Sequence, residues 1–373
     1  MRVLIAPDKF KGTLSARQAA EAIERGWRRT RPQDLLELVP LADGGEGTLE
    51  ALVPADGSPE SGELVSRVVA GPLGDPVQAE AGVRGTTGVV EMARASGLAL
   101  LTQSRRDPRR TTTRGTGELM AAALDRGARE LLVCVGGSAT NDGGTGMARA
   151  LGARFVDARG AALPDGGAAL LDLAAIDLSG LDPRVRTTSV VGLVDVDNPL
   201  CGPAGASAVY GPQKGATSED VWLLDRALGH LAAVVHRDLG ADLAKEPGAG
   251  AAGGLGFGLV AFCGARLRPG VEVVMQAQRF TERLVASDLV VTGEGSFDEQ
   301  SLRGKVPAGV LREAKLAGVP VAVVCGRAEV APPGVVVRSL AGRVGEEAAV
   351  ADARRSLELV AEELAAEGEP VGL

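Results

Sequence analysis

The chain has 373 residues, 45% hydrophobic and 24% charged, with a formal net charge of −8. That length is too great for a comfortable single core, so two domains are expected. The acidic balance and an aromatic content of only 2% disfavour nucleic acid as a partner, since phosphate binding needs a basic face and base stacking needs rings.

No apolar run approaches the roughly 20 residues of a membrane span, and Met1-Arg2-Val3-Leu4-Ile5-Ala6 reaches Pro7-Asp8 too soon for a secretory signal. The expectation is a cytoplasmic protein with no membrane partner. Cys134, Cys201, Cys263 and Cys325 are scattered and read as buried, reduced thiols. His230 and His236 lie 6 residues apart, on different faces of one predicted helix and off metal-ligand spacing. Proton transfer then falls to carboxylates, lysines or water.

In chain order, residues 2–6 read as a buried strand. Ser15 starts a helix, with Gln18 completing a capping-box pattern and Ala19, Ile23 and Trp27 giving one apolar face. A second strand at 35–39, a Gly-rich loop and a helix from about 48 repeat the unit. Residues 64–70, 77–83 and 88–92 read as short strands joined by hairpins. There follow a helix near 118–126, a strand 130–135, a helix near 147–151, a strand 189–194 and a long helix 219–239. Apolar residues 284–291 lead into a strand ending at 292; a helix near 307–317, a strand 319–325 and a charged helix 346–367 close the chain. Such alternation predicts an α/β fold with mostly parallel strands and helices on both faces, whose ligands sit at the carboxyl ends of strands. The expected division is a discontinuous outer domain, 1–72 plus 284–373, with 73–283 inserted and the active site in the cleft between them.

Five Gly-rich segments follow predicted strands. Pro7-Asp8-Lys9-Phe10-Lys11-Gly12-Thr13 precedes a helix start and suits an anion, although a solvated turn would also explain it. Asp43-Gly44-Gly45-Glu46-Gly47 pairs carboxylates among glycines, as Mg²⁺ would need or as a tight turn would use. Gly136-Gly137-Ser138-Ala139-Thr140-Asn141-Asp142-Gly143-Gly144 lets backbone approach a polyphosphate and offers hydroxyl and amide donors; Asp142 could reach a metal. Asp195-Val196-Asp197-Asn198-Pro199 sends two carboxylates to one face, or forms an Asx turn; Gly211-Pro212-Gln213-Lys214-Gly215 lies downstream. Thr292-Gly293-Glu294-Gly295-Ser296-Phe297-Asp298 is a fifth loop, with Lys305 just beyond. Gly248-Ala249-Gly250-Ala251-Ala252-Gly253 fits the dinucleotide fingerprint, but no strand precedes it, so close packing or a phosphate-lining loop is the better reading. The residues alone specify an α/β enzyme binding a phosphorylated ligand with Mg²⁺.

The same segments, together with Gly115-Thr116-Gly117-Glu118-Leu119 and Asn141-Asp142-Gly143-Gly144-Thr145-Gly146-Met147, resemble the bacterial glycerate kinase family that makes 2-phosphoglycerate. The resemblance runs in order from about residue 3 to about residue 326; Val194 departs from a cysteine in the family pattern. It implies one flavodoxin-like and one restriction-endonuclease-like α/β domain, with ATP, Mg²⁺ and D-glycerate giving ADP and 2-phospho-D-glycerate. Alternatives are transfer to the 3-hydroxyl, an NAD-dependent hydroxy-acid dehydrogenase, and an inactive sensor; the assembly expected is a monomer or homodimer.

Residue type and loop position then assign roles. Asp195 is the expected base, with Lys9, Lys11 and Lys214 holding the glycerate carboxylate or the transferring phosphoryl oxygens. Asp8, Ser15, Asp197 and Asn198 are expected at the substrate. Gly136, Gly137, Ser138, Thr140, Asn141, Gly143, Gly144, Gly293, Glu294 and Gly295 are expected at ATP, and Asp43, Glu46 and Asp298 at Mg²⁺.

Overall fold

The computed structural model describes residues 1–54 and 61–368, and strands alternate with helices through most of that range. In chain order the first strands are β1 (Arg2–Ile5), β2 (Leu35–Leu38), β3 (Glu63–Ala70), β4 (Pro76–Arg84), β5 (Thr87–Glu91) and β6 (Glu130–Cys134). They are followed by β7 (Arg154–Val156), β8 (Ala175–Asp177), β9 (Ser189–Leu193), β10 (Arg266–Arg268), β11 (Leu289–Phe297), β12 (Val321–Ala328) and β13 (Val336–Ser339). The chain divides into two units. One is Met1–Asp43, Glu50–Leu52 and Pro269–Leu373; the other is Gly44–Leu49 and Val53–Arg268.

The first unit holds a five-stranded sheet in the order β13-β12-β11-β1-β2, every pair parallel. The chain leaves β1 toward β2 on one side and later fills β11, β12 and β13 on the other. Strand order therefore reverses between β1 and β11, and loops diverging at such a point open a crevice where ligands bind. The helix Ala16–Thr30 follows β1, with Ser15 as its N-cap and Gln18 completing the capping box. Its predicted face, Ala19, Ile23 and Trp27, is buried, Ile23 alone contributing about 1.5–3 kcal/mol. The Trp27 indole N–H donates to buried Asp34 at 3.0 Å, satisfying the ring's polar end.

The second unit holds a mixed sheet, β10-β9-β6-β5-β4-β3. β3, β4 and β5 form the two expected antiparallel pairings, while β5, β6, β9 and β10 are parallel. Among the described residues β7 and β8 form a separate antiparallel pair. Three of the parallel strands, β5, β6 and β9, end at residues 91, 134 and 193, where the loops of interest begin. No helix among the described residues is long and apolar enough to cross a membrane.

Four features differ from expectation. β3 pairs along its whole length with β4, from Glu63↔Val83 to Ala70↔Pro76, so it stands with the middle of the chain rather than with the outer segments. The helices Gly270–Ala277 and Phe280–Val285 belong to the first unit, where the bare face of Gly309 accommodates Val271 and Met275. The segment predicted as loop 292–298 is largely strand, because β11 stays paired with β12 as far as Phe297↔Ala328. The charged C-terminal segment is two helices, Glu346–Ala351 and Ala353–Ala366, since the Asp352 side chain accepts from the Arg355 N–H and starts a new helix.

The fingerprint-like segment serves packing. In the helix Ala251–Cys263 the residues Ala252, Gly253 and Gly254 have φ of 54°, 70° and 87°, so the chain kinks there. A Cβ on Gly253 would lie 1.9 Å from the Thr140 carbonyl oxygen, and the Gly253 carbonyl accepts from the Gly143 N–H at 3.0 Å. We expect Gly253→Ala to cost about 2–4 kcal/mol, from left-handed strain plus overpacking. Gly264→Ala, at φ of 63° but facing open space, should cost only about 1 kcal/mol. Equal urea-unfolding midpoints for the two variants would contradict this account.

Candidate functional site

In the first unit the turn leaving β1 is laid against β11. The Asp8 N–H donates to the Gly293 carbonyl at 2.8 Å, which places Asp8, just past β1, beside Glu294 in the C-terminal half of β11 at the reversal point. Both carboxylates are buried, at 4% and 6% exposure. Burial pushes the Asp8 carboxyl from 3.8 up to about 7; Lys9 opposes the rise, and Asp43 and Glu294 add to it. Burial raises Glu294 as well. Lys9 Nζ lies 3.5 Å from Asp43 Oδ1 and 3.9 Å from Asp8 Oδ1, and Lys305 Nζ lies 3.8 Å from Glu294 Oε2. Gly293 allows the backbone packing that places Glu294, because a Cβ there would meet the Val324 carbonyl at 1.9 Å. Beside it, Gly295 lies close to the backbone of Phe10 and Lys11.

Other expected residues of this unit have local duties. Ser15 accepts from the Gln18 N–H at 3.2 Å as helix cap. Asp298 Oδ1 accepts from the N–H groups of Gln300 and Ser301, at 2.8 and 3.1 Å, and caps a short 3₁₀ turn. Lys11 is exposed.

In the second unit the loop after β6 is organised by Asp142, which is fully buried. Its carboxylate accepts from Thr113 N–H and Oγ1 at 2.8 and 2.9 Å, and from the N–H groups of Gly144 and Gly146 at 3.1 and 3.2 Å. Burial still raises its pKa, against those hydrogen bonds. Lys214 is buried at 1% exposure and donates to the Thr140 carbonyl at 2.7 Å. Burial brings this ammonium down to about 7, while Asp142 pulls it the other way. The Asn141 amide donates to Ser207 Oγ at 3.0 Å. Thr140, Asn141, Gly143 and Gly144 are thus interior, whereas Gly136, Gly137 and Ser138 reach the surface. Those three adjoin the loop at 44–47: a Cβ on Gly136 would lie 2.8 Å from Gly45 Cα, and one on Gly137 would lie 3.3 Å from Glu46 Oε1.

β9 ends at Leu193, so Asp195 and Asp197 lie beyond the strand and alternation does not set their faces; both are exposed, while Val194 is buried. Asn198 holds its own loop, donating to Ala204 O at 2.8 Å and accepting from the Tyr210 hydroxyl at 2.7 Å.

The three expected metal ligands are divided, Asp43 and Asp298 in one unit and Glu46 in the other. Among the described residues no three His, Cys, Asp or Glu side chains are grouped for a metal ion. His230 Nε2 donates to the Leu173 carbonyl oxygen, 2.7 Å away, and His236 is exposed; neither adjoins these loops in sequence.

Two contributors were not singled out by sequence. Glu91, at 2% exposure, accepts from the Leu49 N–H and Arg94 Nε, both at 2.8 Å, and ties the 44–49 segment to β5. A carboxylate ending the apolar run Gly88-Val89-Val90 was the available signal. Thr113, the last of three consecutive buried threonines, supplies two of the bonds to Asp142; that unusual run was its signal.

A family model described as the glycerate kinase family matches residues 3–367. The chain is 49% identical over 328 residues to a glycerate kinase of Bacillus subtilis (strain 168), covering 87% of this chain and 85% of that one. It is 47% identical over 328 residues to a protein named glycerate 2-kinase from Escherichia coli (strain K12), with the same coverage of each. The crystal structure of a candidate glycerate kinase 2 from Salmonella typhimurium LT2 superposes with a TM-score of 0.88 at 45% identity, covering 98% of both chains.

Lys214 yields a pH test with a defined sign. An unfolded lysine holds its proton up to about 10.5, whereas the folded one releases it near 7. Between those values the unfolded chain binds more protons, so this group makes stability rise with pH. In Lys214→Met that contribution is absent. The difference in urea midpoint, wild type minus variant, is expected to grow between pH 7 and pH 10; a constant difference would contradict it.

Proposed function

The chain belongs to the glycerate kinase family and is a kinase, and on that premise we propose that it transfers the γ-phosphoryl group of ATP to the 2-hydroxyl of D-glycerate. The relative named glycerate 2-kinase, 47% identical over 328 residues, is the observation that favours position 2. The four cysteines stand as thiols, in keeping with a cytoplasmic enzyme that meets ATP there.

Phosphoryl transfer asks little covalent chemistry of a protein; alignment and charge stabilisation dominate. Bound ATP supplies the phosphoryl group, and Mg²⁺ would neutralise charge on its oxygens. Backbone at half-buried Gly136 and exposed Gly137, with the Ser138 hydroxyl, offers donors for phosphate oxygens. Lys9 and Lys11 are suited to the carboxylate of glycerate or to the oxygens in transit. Lys9 is held by Asp8 and Asp43, while Lys11 stands exposed beside it. Lys214, with its ammonium on the Thr140 carbonyl, supports the loop from beneath instead of meeting substrate.

Asp195, exposed at the end of β9, is the proposed acceptor of the hydroxyl proton. Its exposure lets substrate reach it, and with neither histidine beside these loops a carboxylate is the available base. A general base contributes on the order of 10²–10⁴ in rate. Asp195→Asn is therefore expected to lower kcat at least about 100-fold, at an unchanged unfolding midpoint; a loss under about threefold would remove Asp195 from this role.

Product identification tests the position of transfer. With ATP, Mg²⁺ and D-glycerate, coupling directly to enolase without a phosphoglycerate mutase should give a phosphoenolpyruvate signal. A signal appearing only after mutase is added would place the phosphoryl group on the 3-hydroxyl.

A further inference from the structure

Glu294 presents a problem that its neighbours do not solve. Its Oε1 is fully buried and has no hydrogen-bond partner, and its Oε2 has Lys305 only at 3.8 Å. The Ser301 hydroxyl favours the charged form of Glu294, yet it also lies 3.1 Å from the Ser296 carbonyl and 3.4 Å from Asp298 Oδ1, and Oε1 stays without a partner. A buried polar atom left unsatisfied costs about 1–3 kcal/mol, and more when it carries charge. Such an atom persists where something else completes it.

The surroundings define what that is. Asp8 emerges beside Glu294, fixed by the Asp8 N–H···Gly293 carbonyl bond. Asp43 and Asp298 lie near enough to raise the Glu294 carboxyl further. Against these four carboxylates stand two ammonium groups, Lys9 and Lys305, both within 4 Å of cluster oxygens. Carboxylates exceed ammonium groups by two, the charge that one divalent cation neutralises. All donors are hard oxygens, with no thiol and no imidazole among them, which suits Mg²⁺ or Mn²⁺ rather than zinc.

We propose that Glu294 and Asp8 directly hold a divalent cation at the carboxyl ends of β11 and β1, with Asp43 joined to it through water. Two carboxylates plus retained waters are the usual protein share of a Mg²⁺ site, so a cage of three side chains is not needed. Of the set read from sequence, Asp43 is kept through water, whereas Asp298 Oδ1 is occupied by two backbone N–H groups. The kinase reading supplies the cation's task, whereas its binding is a property of these side chains and can be measured alone.

The test uses the full chain without nucleotide or glycerate, titrated with Mn²⁺ while free Mn²⁺ is followed by its paramagnetic resonance signal. Wild type is expected to bind one Mn²⁺ that Mg²⁺ displaces. Glu294→Gln and Asp8→Asn should each weaken binding at least tenfold, and Glu329→Gln, at an exposed carboxylate of the same unit, should bind as wild type does. Thermal unfolding of each variant, recorded without metal, separates lost binding from lost structure; Glu294→Gln is expected to melt no lower than wild type, having shed a buried charge. Wild type that binds no Mn²⁺ would overturn the proposal, and would mean that the carboxylates settle their repulsion by protonation. Unchanged Mn²⁺ affinity in both Glu294→Gln and Asp8→Asn would overturn it equally. Either outcome would leave the product of the enolase-coupled assay untouched, so the two readings fail separately.

Discussion

Whether a buried carboxylate has all its partners governs this molecule, and the chain contains both cases. Asp142 is completely enclosed but takes four hydrogen bonds from Thr113, Gly144 and Gly146. A carboxylate so surrounded acts as a rivet, holding the turn after β6 and the start of the helix Thr145–Ala150 in one geometry. Glu294 is nearly as enclosed and lacks a partner for one oxygen. The same functional group is structural in one unit and poised for a ligand in the other, and the difference lies in the count of donors within reach.

Glycine makes both arrangements possible, for a steric reason. At Gly293 a side chain would strike the carbonyl of Val324, and at Gly253 that of Thr140. The first contact brings β12 close enough for β11 to continue past residue 292 as strand, which carries Glu294 to its buried position beside Asp8. The second closes the kinked start of the helix Ala251–Cys263 over the loop that contains Asn141 and Asp142. Segments that resemble phosphate loops in sequence thus divide into two kinds. Some carry exposed backbone, as at Gly137; others, as at Gly143 and Gly144, serve tight packing.

The chemistry that results relies on lysine and carboxylate. Lys9 bridges Asp8 and Asp43, Lys305 faces Glu294, and Lys214 is sealed under the Thr140 carbonyl. For phosphoryl transfer this is sufficient, since the reaction gains mostly from alignment and from counter-charge. Burial brings both the Lys214 ammonium and the Asp8 carboxyl to about 7, so modest changes in surroundings or bound charge can alter whether each is ionised.

Much of the fold was legible in one dimension because its causes are local. The capping box at Ser15 and Gln18, the face of Ala19, Ile23 and Trp27, and the hairpin turns between β3, β4 and β5 all arise from neighbours within a few residues. The resemblance of ordered motifs likewise pointed to the family that residues 3–367 match. What sequence could not supply was pairing at long range. Whether 292–297 is loop or strand depends on β12, some thirty residues on; whether Lys214 meets substrate or a carbonyl depends on Thr140; and whether Ser15 and Asp298 are ligands or caps depends on which N–H groups lie beneath them. Residue type and spacing determined which groups could do chemistry. Only the tertiary structure decided which are already spent on partners, because a polar atom's availability is set by everything that folds against it.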